Sequence, residues 1–237
     1  MTTALLIPVI LGAVAVVGGV IALLSKGSTP AVVAPAPTVV PVAPTPYPTC
    51  KDWVMTPNTF AEYAVSGQPC VFNSLTGELT PTGNIAPPGY SIRITNKAFG
   101  PGLIFRALGP VGQVPEANAG GWLEASTGDY IGEAGDGKGT TLSPPEPLLP
   151  LNPVVGDVRT VMVQPSYGGP PLKVVNRVIS VANGVTKTTL VERPEATPRA
   201  YTMEFDGEFK THIFGDVKPD GTVDALMWTR TSVGTSP

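Results

Sequence analysis

The sequence predicts a mainly β protein: an N-terminal transmembrane helix, a Pro-rich stalk, and an antiparallel β meander, barrel-like or a sandwich, with a loop-rich β subdomain before it. Three observations predict this. The first 24 residues carry no charged side chain, and a proline-dense run follows them. Glycine (27) and proline (28) are so frequent in 237 residues that long helices have little room. The C-terminal third alternates apolar and polar residues between Asn-Gly and Asp-Gly dipeptides, the favoured two-residue hairpin turns.

Residues 1–27 form the expected anchor. Thr3 to Leu24 is uninterrupted by charge, and at the helical rise it spans roughly 33 Å, the thickness of a bilayer core. Pro8 falls in the first turns, where its missing N–H costs least. Gly12, Ala15 and Gly19 make a small face, with Ala15 and Gly19 spaced for close packing against another membrane helix. A cleaved signal peptide is the rival reading, with Ser25 and Gly27 as small residues before a cut at Ser28. Against it stand an n-region without Lys or Arg and an apolar run longer than a usual signal core.

Residues 28–48 form the stalk, with proline at 30, 35, 37, 41, 44, 46 and 48. Proline fixes φ and drives the preceding residue out of the helical region, so the run is polyproline II, about 60 Å long when extended. Its gaps are filled by Val, Ala and Thr, and it lacks the basic flank of most PxxP ligands, so it reads as a spacer. Cys50 and Cys70 follow, and in an exported domain they are expected to form one disulfide closing a loop of about 20 residues.

Within 49–143, Thr56 to Val65 is expected to begin a short helix, with Thr56 or Asn58 as its cap. Residues 69–72, 90–95, 103–108 and 122–125 read as short strands between Gly, Pro and Asn turns. Residues 144–154, rich in proline, read as a connection between two units. In 155–237, six strands are expected at 158–163, 172–181, 185–191, 200–205, 208–214 and 223–229. Asn183-Gly184, Asp206-Gly207 and Asp220-Gly221 serve as the turns. In the fifth strand Phe209, Thr211 and Ile213 are expected on one face, with Lys210, His212 and Phe214 on the other.

The chain offers few chemical motifs. Gly132 to Thr140, GEAGDGKGT, resembles the phosphate loop of adenylate-kinase-like nucleotide kinases, in which backbone N–H groups and a lysine cradle phosphates at a helix N-terminus. The flanks do not supply that setting. STGDYI is no buried strand, and Pro144, Pro145 and Pro147 forbid the helix, which leaves a flexible surface loop. Asp129, Glu133 and Asp136 lie among glycines without the EF-hand spacing for calcium and read as a solvated acidic loop. His212, the one histidine, has no second histidine for a zinc site and no Gly-x-Ser-x-Gly elbow for a triad. It is expected at the surface or half-buried on a strand. Glu204 and Asp206 adjoin a hairpin turn, and Trp53, Trp122 and Trp228 read as core anchors.

A net charge of −3 and scattered basic residues exclude a nucleic-acid footprint. No catalytic residue, cofactor or metal ligand is assigned. The expected function is therefore non-enzymatic: a single-pass, membrane-anchored structural or interaction protein, an accessory subunit of a larger membrane-associated assembly. Its partners would be other membrane or assembly subunits, and the lipid bilayer through residues 3–24. Its C-terminal part is expected on the extracytoplasmic side, periplasmic or at the surface. Two alternatives are a minor membrane protein of a virion and an extracytoplasmic ligand-binding module.

Overall fold

The computed structural model describes residues 56–112, 119–135, 138–150 and 152–235. The expected anchor with Gly12, Ala15 and Gly19, the stalk, Cys50 and Trp53 lie outside the described residues. Within them the protein is β throughout. Its strands are β1 (Thr59–Phe72), β2 (Leu79–Pro81), β3 (Tyr90–Ala98), β4 (Leu103–Pro110), β5 (Gly120–Glu124), β6 (Tyr130–Gly135) and β7 (Lys138–Glu146). After a proline-rich connection come β8 (Val158–Pro165), β9 (Leu172–Ala182), β10 (Val185–Glu192), β11 (Arg199–Phe205), β12 (Phe209–Asp216) and β13 (Thr222–Thr235).

Sequential antiparallel pairing runs from β3 to β13, and β1 joins β3 on one side and β13 on the other. The result is a closed twelve-stranded antiparallel barrel, with β2 as a short appendage on β1. Closure rests on a long ladder from Thr59↔Thr235 to Val71↔Thr222. The six strands expected after residue 155 are all present, extended by a few residues at most ends. Of the three expected two-residue turns, only Asn183-Gly184 is one: Phe205 pairs with Phe209 across residues 206–208, and Asp220-Gly221 lies in the longer 217–221 loop. Ala182 pairs with Val185, and Asn183 (φ 53°) and Gly184 (φ 74°) take the left-handed conformations of a type I′ hairpin.

Three expectations are corrected. Thr56 to Val65 is not a helix: from Thr59 it is the first half of β1, hydrogen-bonded to β3 and β13. From Thr59 on, two flanking ladders pair this segment on both sides and override a weak helical preference. Gly132 to Thr140 is not a surface loop but most of the β6–β7 hairpin, in which Gly135 pairs with Lys138. Finally, Phe209 does not share a face with Ile213. A register irregularity at Glu204/Phe205 lets Phe209 join His212 and Phe214 inside, while Ile213 packs outward.

A twelve-stranded barrel encloses more space than side chains of ordinary size fill. Here aromatic residues take up the interior, among them Tyr63, Tyr201, Phe205 and Trp228, all at most 2% exposed. The proline-rich connection helps. Pro144 to Glu146 belong to β7, and Leu148 and Leu149 tuck into the same core, the Leu149 N–H donating to the Gly128 carbonyl at 3.1 Å. A second apolar cluster lies outside the wall. There β2 and its preceding turn cover Ala200, Ile213 and Ala225, with Leu79 N–H donating to Thr202 Oγ1 (2.8 Å) and Thr189 Oγ1 to the Thr76 carbonyl (2.6 Å). The outer face also carries ion pairs: Glu62 pairs with Arg93 between the inward Ala61 and Tyr63, and Lys187 pairs with Glu78.

Candidate functional site

The barrel interior, where polar side chains from distant strands converge, is the candidate site. Near the mouth where β1 begins, Arg106 of β4 donates to Glu208 Oε1 (2.6 Å) and to Asn96 Oδ1 (3.1 Å). Asn96 Nδ2 in turn donates to Thr59 Oγ1 (2.8 Å), and Glu208 Oε1 also accepts the Phe209 N–H (2.8 Å). The Tyr63 hydroxyl faces this pair, and its pKa is raised by burial and by the Glu208 charge. Arg106 and Glu208 are almost completely buried, so their charges depend on each other.

His212 lies beside this pair. Its ring is enclosed by Phe209 (5.1 Å between centroids), Trp228 (5.1 Å), Phe214 (5.3 Å) and Tyr201 (6.0 Å). It is 1% exposed, which corrects the expectation of a surface or half-buried histidine. The strand face holding it turns inward, and a packed aromatic wall replaces solvent. Burial, with the nearby Arg106 charge, pushes its pKa down to about 3, so the imidazole is neutral at any physiological pH. Neither ring nitrogen has a protein partner, nor does Trp228 Nε1. Both residues line an interior cavity of about 40 Å³, with Arg106, Tyr130, Leu148 and Phe209. That is room for about three water molecules, which the orphaned donors and acceptor can hold.

A second polar group is acidic. Glu192 accepts the Tyr201 hydroxyl (2.7 Å) and Glu133 accepts the Tyr130 hydroxyl (3.4 Å), while one oxygen each of Glu146 and Glu192 has no partner. Burial raises the Glu133 pKa to about 7 and that of Glu192 in the same direction. Burial, followed by the neighbouring Glu192 and Glu133, carries Glu146 well above the carboxylate range. Burial thus favours the protonated form of all three, opposed at Glu192 by the Tyr201 hydrogen bond and the Arg199 and Arg193 charges.

His212 touches rings, not a hydroxyl or carboxylate. Among the described residues no three His, Cys, Asp or Glu side chains are placed to hold a metal ion. Asp129 is held by Arg159 through both oxygens (2.8 and 3.0 Å), Glu133 turns inward, and Asp136 lies outside the described residues. Asp206 is likewise held through both oxygens by Arg230 (2.7 and 2.9 Å), and Glu204 accepts from Thr211. Cys70 is buried on the outer cluster, its thiol donating to the Gln68 carbonyl at 3.5 Å, while the other half of the expected disulfide lies outside the described residues.

The Gly-rich string has a structural explanation. A Cβ on Gly132 would lie 2.1 Å from the Thr140 carbonyl oxygen, so β6 and β7 approach through a glycine gap, and the Trp122 ring lies near Gly139. Sequence reading missed the interior group because Tyr63, Arg106, Glu208 and Trp228 are far apart in the chain. An odd arginine amid the apolar LIFRAL run was the one local signal. The chain matches no family model, no curated protein and no solved structure.

Proposed function

We propose that the chain is a non-enzymatic, membrane-anchored structural or interaction protein, an accessory subunit that the stalk holds against a larger membrane-associated assembly. One observation supports this reading above others: the interior cavity that reaches His212 and Trp228 measures about 40 Å³, far below the several hundred Å³ of a small-molecule site. The uncharged run Thr3–Leu24 and the proline-rich spacer supply the tether in this reading, with the barrel on the extracytoplasmic side. The same design would serve a minor membrane protein of a virion, and the membrane that yields the complex distinguishes the two settings.

Extraction of the full chain from its native membrane in mild detergent tests the proposal. It is expected to co-purify with other subunits in fixed stoichiometry. A chain that runs alone, with its stalk open to protease, would sink it. A ligand-binding module is the second reading, favoured by an outer groove of about 310 Å³ floored by Val175 and Val191 and edged by Phe72, Lys173, Arg177 and Pro194. Its volume falls at the lower limit of small-ligand sites.

A further inference from the structure

The wall of the barrel is thin along one line. β7 pairs with β8 only through Leu142↔Pro165 and Ser143↔Gln164, whereas β9 pairs with β8 from Val158 to Val163. Pro144 and Pro145 follow immediately in β7 and have no N–H to extend the seam. The direction of the remaining backbone groups follows from alternation in an antiparallel ladder. Ser166 N–H donates to the Thr141 carbonyl (2.9 Å), so the even residues of β8 face the β7 side. Val178 N–H donates to the Asp157 carbonyl (3.0 Å), so the odd residues face β9. Val158, Thr160 and Met162 therefore aim N–H and C=O groups along an edge with no strand beside it among the described residues. Their side chains do not protect it: Val158 is 55% and Met162 54% exposed, with Val154 and Val155 similarly exposed just before them.

An open, apolar strand edge is a template for strand addition. We propose that this edge of β8 pairs with the same edge of a second copy of the chain, antiparallel about a two-fold axis at Thr160. Thr160 then faces Thr160 of the second copy, and Val158 faces Met162 in both directions, giving about six hydrogen bonds with the open groups matched. The register is self-compatible in charge. Arg159, the one charged residue of β8, lies opposite Val161 of the second copy, and Asp129 already holds it. The stalk of the same chain is a poor occupant, because its prolines cannot supply successive N–H donors. The pairing is independent of the proposed membrane tether.

The test uses the full chain in mild detergent with a benzophenone amino acid in place of Met162, and in a control in place of Lys210 on the outer face of β12. Irradiation is expected to give a doubled mass at position 162 with the cross-link mapped to β8, and none at 210. Thr160→Lys, which sets two like charges face to face, and Thr160→Pro, which removes an edge N–H not used by β9, are each expected to reduce that cross-link about tenfold or more. Circular dichroism should be unchanged in both. The proposal is overturned if position 162 cross-links to another protein or to nothing. It is also overturned if the doubled species persists undiminished in both variants.

Discussion

Arg106 and Glu208 are 102 positions apart in the chain, yet their side chains meet at 2.6 Å in a space with almost no solvent. Removing one partner of such a pair leaves a buried charge alone. Glu208→Ala is expected to destabilise the fold by about 3–5 kcal/mol in urea unfolding, and replacing both residues by apolar ones should recover much of that loss. The interior carboxyls make stability depend on pH. Glu133, Glu146 and Glu192 have folded pKa values above their unfolded ones, so they contribute fully below about pH 4.5; the contributions of Glu133 and Glu192 fade as pH rises through about 7, and that of Glu146 is likewise lost as pH rises. His212 acts the other way: its pKa is depressed to about 3, so its contribution is present above about 6.5 and lost on acidification. Three groups outweigh one, and the chain is expected to melt higher at pH 5 than at pH 8. Glu192→Gln should flatten that difference; an unchanged slope would show that these carboxyls are not buried as described.

At the scale of elements, the β6–β7 hairpin separates two uses of glycine. Gly132→Ala forces a methyl group into the Thr140 carbonyl and is expected to cost about 1–3 kcal/mol, whereas Gly139→Ala meets the Trp122 ring at an ordinary 3.5 Å and should be tolerated. Thermal melts of the two variants check this, and equal effects would refute the glycine-gap explanation. The hairpin also shows what was legible. The strands after residue 155 were readable because β-branched residues alternate and Asn-Gly or Asp-Gly marks the turns. β6 and β7 carry the same Asp-Gly signal at Asp136-Gly137, but glycine and proline replace the alternation. In β1, the pattern Phe-Ala-Glu-Tyr-Ala is ambiguous locally, and pairing with β13, distant in sequence, decides it. The interior polar group was illegible for the same reason: its members are neighbours only after the barrel closes.

For the whole molecule, closure is the decisive event. β1 and β13 are the first and last strands, so the ladder between them forms across the greatest loop-closure entropy in the described chain. Ending the chain after Thr229 removes the partners of Thr59 to Tyr63 and the Arg230 contact with Asp206. This truncation is expected to abolish cooperative unfolding, with near-UV circular dichroism lost before the far-UV signal. A sharp, native-like melt would show that the first five residues of the ladder are dispensable.

The pairing of Thr59 with Thr235 places the two described ends side by side at one mouth. A closed ring of strands has no privileged starting point, and the order in which this one is synthesised is a cut made at a particular seam. A circular permutant follows from that. Bridging Thr235 to Thr56 with a short linker and opening the chain at Asn183-Gly184 should give the same barrel with its ends at the turn between β9 and β10. A display tag or a second tether could then be moved around the rim without altering the wall.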